Sequence, residues 1–298
     1  MVSFINNICE VSSQYTHYIF DLWGVIHDGS NLYPNVKENL KKLRSQNKSI
    51  CFLSNAPRRS FVAEEVLSGL GVEKDYYDFI ITSGESLFID MARNQSNGYK
   101  EFGKNFSYFG PDKDKNLLNG LDYKIVDIKE ANFAIITGFK DDSSTIEMEM
   151  PNLELALKHN ITMICANPDF KVVKQNGLEY LCAGILANKY EELGGKVIYY
   201  GKPFSAVYQL VMEKFRQLNG ENPVKPRNVL AIGDAFETDI KGASLANIDC
   251  AIISGGIYSS KLQETAINDK ITILREVDNL LNKHHINNST LLFIAKSV

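Results

Sequence analysis

Tryptophan occurs once in this chain of 298 residues, proline eight times and cysteine five times. The cysteines, Cys9, Cys51, Cys165, Cys182 and Cys250, include no C-x-x-C pair and lie mostly in apolar runs such as "SICFLSN" and "ITMICAN". They read as buried, reduced thiols. An excess of basic charge is also missing. The 32 Lys and Arg stand against 36 Asp and Glu, for a net charge of -4, and they are scattered rather than gathered into a stripe. That excludes the electrostatic footprint of a nucleic-acid partner. No apolar run approaches the roughly 20 residues of a membrane span. The opening "MVSFINNICEVSSQY" lacks a basic segment followed by a long apolar stretch. Neither internal repeats nor low-complexity tracts occur. A cytoplasmic protein without a membrane or nucleic-acid partner is the expectation; its oligomeric state stays open, a homodimer included.

What is present is a balanced apolar and charged content, in a chain long enough for a full α/β core and one further domain. The run "HYIFDLWGV" breaks at Asp21 and Gly24 and gives way to helical spacing through Val36, Leu40 and Leu43. The apolar run Ile50 to Leu53 stops at Ser54 and Asn55, and Arg58 to Leu70 has helical spacing closing on Gly71. "FIITSG" begins the scheme a third time. Strands alternating with helices predict a parallel sheet, whose ligands collect at the carboxyl ends of the strands. Asp21, Ser54 and Ser83 all fall at that edge. Near the end "KVIYYGKP", "NVLAIGDAFETDI" and "CAIISGG" repeat the pattern and read as later strands of the same sheet.

Between these halves lies a stretch with its own strand and helix candidates: "SYFG", "FAIITG", a helix from Leu153 to His159, and "ITMICANPD". The expected organisation is a core of residues 1–82 and 196–298 interrupted by an inserted domain of residues 83–195, the turns "TSGES" and "LGGK" marking the junctions.

Four short signals follow in order, and each alone has a bland explanation. Asp21 in "FDLWGV" is a turn aspartate after a strand, and Ser54 in "LSNAPR" is a helix N-cap. Lys202 in "YGKPF" is a solvated turn lysine. Asp234 and Asp239 in "GDAFETDI" are a cap and a first-turn acid favoured by the helix dipole. The bland explanations leave the shared position at strand ends of one sheet unaccounted for. Together the residues are what phosphoryl transfer through a carboxylate needs: a nucleophile, acids for a divalent ion, and a lysine and a hydroxyl for the remaining oxygens. Magnesium favours carboxylate and carbonyl oxygen plus waters, so Asp21 and Asp234 are candidate ligands and Asp239 a candidate for orienting a bound water.

At these residues the chain resembles the haloacid dehalogenase superfamily of hydrolases, and within it the class IIA, NagD-like phosphatases. "FDLWGV", "LSNAPR", "GKP" and "GDAFETDI" match the four motifs, "IITSGE" matches the entry to the cap, and "ANPDF" matches the cap motif. The resemblance implies a doubly wound parallel α/β core with an inserted, smaller α/β cap of type C2 that selects the substrate. It implies a magnesium-dependent phosphohydrolase acting on a small phosphorylated substrate, a sugar phosphate or a nucleotide-like phosphate, through an aspartyl phosphate. Asp21 would be the nucleophile, Ser54 the phosphate hydroxyl ligand with Asn55 beside it, and Lys202 the charge clamp. Asp234 and Asp239 would be the magnesium acids, joined by the backbone carbonyl of Trp23. Asn167 and Asp169 would line the substrate pocket, although a plain Asn-Pro turn is an equal reading.

One departure stands out. The family's phosphatases carry a second aspartate two places after the nucleophile, as general acid and base; here that residue is Trp23. An indole N–H donates a hydrogen bond but does not titrate near neutral pH, and losing such a group lowers rates by about 10²- to 10⁴-fold. Three readings stay open. His27, in the same loop as Asp28, substitutes as the titrating group. Or the substrate has a leaving group that needs little protonation, such as an acyl phosphate or a phosphoanhydride. Or the chain binds a phosphorylated ligand with little turnover, as a pseudophosphatase. A haloacid dehalogenase, whose halide leaves without a proton, is opposed by the two acids of "GDAFETDI".

Other features carry less. Cys182 has apolar neighbours and no histidine pattern, so a packed thiol is expected. His284 and His285 are adjacent and do not face one another on a helix. "LLFIA" is too short to span a membrane and is expected to pack a last element against the core.

Overall fold

A computed structural model describes residues 2–97, 103–173, 178–254, 270–286 and 292–298. The chain divides into two compact units: residues 1–54, 64–81 and 202–298, and residues 55–63 and 82–201.

The first unit is built on a seven-stranded sheet, in the order Val2–Asn7, Leu292–Ser297, Asp249–Ile253, Val229–Gly233, His17–Phe20, Ser49–Ser54 and Phe79–Thr82. Pairing is parallel from Val2–Asn7 through Ser49–Ser54. His17–Phe20 is buried along its whole length and Val229–Gly233 likewise. Continuous apolar runs of this kind are what a sheet covered on both faces requires. Helix Ser205–Leu218 covers one face, setting Val207, Tyr208, Val211 and Phe215 against Ile19, Val229 and Ala231. Helix Lys270–Lys283 adds Ile273, Val277, Leu280 and Leu281 to the same core.

The ends of the chain meet in this sheet. Leu292–Ser297, which contains most of "LLFIA", lies between Asp249–Ile253 and the opening strand Val2–Asn7; Leu291 lies outside the described residues, as do Gly255 and Gly256 of "CAIISGG". All five cysteines are buried.

The second unit has its own five-stranded parallel sheet, in the order Val197–Tyr199, Thr162–Cys165, Phe133–Ile136, Asn105–Phe109 and Lys124–Ile125. Period-two alternation divides its core. Phe133 and Ile135 meet Leu87 and Met91 of helix Ser83–Asn97. Ala134 and Ile136 meet Leu153 and Ala156 of helix Ile146–Lys158 and Leu186 and Tyr190 of helix Ala183–Glu192. An antiparallel pair, Lys171–Val173 with Glu179–Leu181, is appended.

One expectation is corrected here. "KVIYYGKP" is not a strand of the first sheet: Val197, Ile198 and Tyr199 pair with Met163, Ile164 and Cys165 at the edge of the second. By contact density the second unit accordingly runs to Gly201 and the first resumes at Lys202. An apolar run ending in Gly and Pro has the same pattern whichever sheet supplies its partner. Among the described residues no helix is long and apolar enough to cross a membrane.

Candidate active site

Strand register decides which side chains can meet. Phe20 pairs with Ile232 on one side and with Phe52 on the other, and the Asp21 amide donates to Ile232 O at 2.8 Å. Asp21 therefore leaves the central strand level with Gly233 and Leu53, with Asp234 and Ser54 one residue beyond. Neighbouring strands are about 4.8 Å apart, so three functional positions emerge side by side at one carboxyl edge.

The side chains follow that placement. Asp21, Asp234 and Asp239 each offer a carboxylate oxygen within 4.8 Å of the others, and all three are buried. Among the described residues no other histidine, cysteine or acid joins the group. Lys202, only 3% exposed, donates from Nζ to Asp21 Oδ1 and, at 2.6 Å, to Asp239 Oδ1. Burial by itself would lower the lysine pKa, but the charges of Asp21 and Asp239 outweigh it and hold the ammonium well above its usual range. Asp239 is fixed at both oxygens, since Oδ2 accepts from Ala235 N at 3.2 Å. It projects from one wide turn of π type, Phe236–Ile240, that opens directly after Asp234 and Ala235. Such turns recur where a side chain has to be aimed at a site. Tyr208, pushed to a high pKa by burial and by Asp239, donates to the Asp239 carbonyl at 3.3 Å.

Gly24 is needed for this arrangement. Its φ is +87°, and a Cβ built there would lie 2.0 Å from Asp234 Oδ2. A glycine lets the loop after Asp21 lie against the carboxylate. Its signal in the sequence was the break of the apolar run at "DLWG".

Three buried carboxylates against one ammonium leave an excess of negative charge that a low-dielectric site does not tolerate without a further cation. The donor set is hard oxygen throughout, which suits magnesium. The residues present therefore fit the ion that the motifs imply.

Ser54 ends its strand buried. His27 is buried too, its ring edge-on to Trp23 with centroids 5.7 Å apart, and its Nδ1 accepts from Gly29 N at 3.0 Å. Desolvation depresses its pKa, the smaller effect of Asp28 opposing. Asn55, Asn167 and Asp169 come together within the second unit. Asn55 Nδ2 donates to Asp169 Oδ1 at 2.7 Å, and Asp169 N donates to Asn167 Oδ1 at 3.2 Å. Sequence reasoning assigned no role to Ser83, which is completely buried. Its hydroxyl lies 2.8 Å from Asn55 O and 3.0 Å from Ala56 O and also contacts Ala166 O, tying the loop after Ser54 to the "ANPDF" loop.

Two family models match the chain: haloacid dehalogenase-like hydrolase over residues 18–124 and HAD-hydrolase-like over residues 199–280. Both contain parts of the site just described. The chain belongs to the haloacid dehalogenase-like hydrolases. A haloacid dehalogenase-like hydrolase from Brucella suis is 28% identical, with a TM-score of 0.79 over 87% of this chain and 92% of its own. A possible sugar phosphatase of this superfamily from Cytophaga hutchinsonii is 22% identical, with a TM-score of 0.74 over 97% of each chain. A glycerol phosphate phosphatase from Mycobacterium tuberculosis, solved in complex with magnesium, is 19% identical, with a TM-score of 0.61 over 83% of this chain and 70% of its own. No curated protein sequence matches. The latter two likenesses bear on the fold, which is that of the superfamily, an α/β architecture with a parallel sheet and an inserted second unit.

Proposed function

We propose that this hydrolase is a magnesium-dependent phosphohydrolase that transfers the phosphoryl group of a small organic phosphate, a sugar phosphate or a nucleotide-like compound, to water through Asp21. The observation that carries the reading is the Lys202 ammonium bridging Asp21 and Asp239 while Asp234 completes a buried trio of acids. A carboxylate held against a permanently charged lysine stays available as a nucleophile. The same ammonium neutralises an incoming phosphoryl oxygen, and the Ser54 hydroxyl and the Asn55 carboxamide supply hydrogen bonds to others. Magnesium, held by Asp21, Asp234 and the Trp23 carbonyl with Asp239 orienting a bound water, would neutralise charge on the transferring group. The relatives named as a sugar phosphatase and as a magnesium-bound glycerol phosphate phosphatase support this chemistry. To the second unit, residues 83–195 in the division read from sequence, we assign the part of a cap that selects the substrate, with Asn167 and Asp169 among its contacts. His27 is assigned to support of the loop, because its Nδ1 is engaged by Gly29 N.

The decisive experiment is hydrolysis of a panel of small phosphates by wild type and Asp21→Asn, with magnesium and with chelator. Turnover that needs the metal and falls at least about 10³-fold in the variant is expected. Metal-independent turnover, or a variant as active as wild type, would overturn the assignment.

A further inference from the structure

Asp239 reaches the acid cluster from an uncommon piece of backbone. Over Phe236–Ile240 the chain makes one wide turn of π type, in which the Asp239 and Ile240 amides both donate to Ala235 O, at 3.0 and 3.2 Å. Such turns are rare and occur mostly singly, so this one depends on what packs against it. The carboxylate it carries has little slack. A Cβ at Gly233 would lie 2.1 Å from Asp239 Cγ, which puts the side chain against the strand end that precedes Asp234. Lys202 and the Ala235 amide hold its two oxygens.

The support from outside the turn is Tyr208. It stands in helix Ser205–Leu218, six residues after Lys202, and is 2% exposed. Its ring shares a core with Phe236 and Ile240 of the turn and with Ala243 beyond it. Two contacts go further than shared packing. The hydroxyl donates to the Asp239 carbonyl at 3.3 Å, and a buried hydroxyl needs such an acceptor. Gly242 passes so close that a Cβ there would lie 2.5 Å from both Tyr208 Cε2 and Tyr208 Oη. The ring edge is therefore seated on the backbone at Asp239 and at Gly242. The hydrogen bond is longer than the usual 2.7–2.8 Å of an O–H···O pair, so the seat combines a modest bond with a tight steric fit.

Resting on the phosphohydrolase reading above, we propose that Tyr208 is a positioning residue for the magnesium site: its ring edge sets the wide turn so that the Asp239 carboxylate meets the Lys202 ammonium and stays within the acid trio. Asp21, Asp234 and Asp239 each keep an oxygen within 4.8 Å of the others. A turn that relaxes without Tyr208 displaces one of those oxygens and, with it, one of the two anchors of Lys202. Ser54 lies on another strand and stays in place. The loss falls on metal affinity and on kcat more than on KM. A ring that only filled the core would change stability and leave metal affinity untouched.

The test is magnesium binding, followed by calorimetric titration of the substrate-free protein, on wild type, Tyr208→Phe and Gly242→Ala, with Asp234→Asn marking the site. Wild type is expected to bind magnesium in a way that Asp234→Asn abolishes. Tyr208→Phe keeps the ring and removes the hydroxyl, and is expected to raise the magnesium Kd about 10-fold, the low end of what outer-shell partners of a metal contribute. Gly242→Ala drives a methyl group against the ring and is expected to weaken binding from the other side of the same contact. At saturating magnesium, hydrolysis of a small phosphate by Tyr208→Phe should show kcat lowered more than KM is raised; the reverse split overturns the inference. A wild-type magnesium Kd in folded Tyr208→Phe overturns it too, whatever happens to urea stability. Should Tyr208→Phe not fold, Gly242→Ala decides: weakened magnesium binding supports the inference, and wild-type affinity overturns it. If wild type binds magnesium at the Asp234 site and neither variant differs from it, only the positioning role fails. If wild type shows no magnesium binding that depends on Asp234, the phosphohydrolase reading fails and the positioning role with it.

Discussion

The two units solve the same topological problem with different chemistry. Each is a parallel sheet with polar residues at the carboxyl ends of its strands. In the first unit that edge holds charges: three buried acids and, brought in by the segment that begins at Lys202, an ammonium, held by ion pairs. In the second unit Asp169, beyond the strand Thr162–Cys165, accepts from the Asn55 carboxamide, and the Ser83 hydroxyl lies among backbone carbonyls. The comparison teaches where each unit is fragile. A buried charge cluster fails badly when one member is removed, because the others lose their compensation. A network of amide and hydroxyl groups loses one bond at a time.

The largest effect that tests this contrast is expected for Lys202→Met. The methionine keeps the volume but leaves Asp21 and Asp239 without their ammonium, for a destabilisation of about 3–5 kcal/mol. Urea denaturation measures it, and added magnesium should recover part of the loss by linkage, because the ion binds only the folded site. A loss under about 1 kcal/mol would mean that the charges are better screened than their burial indicates.

A smaller effect is expected in the second unit. Asp169→Ala removes the acceptor of the Asn55 carboxamide and should cost about 1–3 kcal/mol. Asp169→Asn keeps an acceptor oxygen at the same place and should cost less. Since Asn55 directly follows Ser54, the alanine variant should also raise KM more than it lowers kcat, with the asparagine variant restoring much of it. Equal damage from both variants would show that the charge of Asp169, rather than its acceptor, is what matters.

The smallest effect is a pH dependence in the first unit. His17 lies edge-on to Phe215 at 4.8 Å, and its pKa is depressed by burial, the smaller effect of Asp78 opposing. Its unfolded pKa is about 6.5. Between that value and the lower folded one, the unfolded chain binds the extra proton. The contribution of His17 is therefore complete above the window and is lost as pH falls through it. His27, lowered by burial as well, has the same sign. Comparing urea midpoints near neutral pH with those about two pH units lower should show a shallower decline in His17→Phe than in wild type.

Much of this molecule was legible because its chemistry sits at punctuation. Asp21, Ser54 and Asp234 each follow an apolar run and precede a turn, and parallel topology brings such positions to one edge; Lys202 has the same punctuation but follows a strand of the second sheet. The membership of "KVIYYGKP" was not legible, because Val197–Tyr199 is a three-residue strand of half-buried residues that satisfies either sheet equally by pattern. Ser83 was visible as a strand-end residue but not as a tie between loops, since its partners are main-chain carbonyls at residues 55, 56 and 166. Backbone acceptors leave no mark in a sequence. His27 drew notice because a histidine titrates in the useful range and shares a loop with Asp28; the contacts of its ring with Trp23 and of its Nδ1 with the Gly29 amide come from the way the loop closes.

By itself, the sequence determined the α/β class, the order of strands and helices around each motif, and the residue types of the site, because periodicity and turn chemistry are local properties. Only the tertiary structure decided that Lys202 spans Asp21 and Asp239, that Gly24 lies against Asp234, and that Trp23 is locked between His27 and Gly29. Those are distances between atoms far apart or folded back along the chain, and they are set by strand register and loop closure, which residue identity at a single position does not encode.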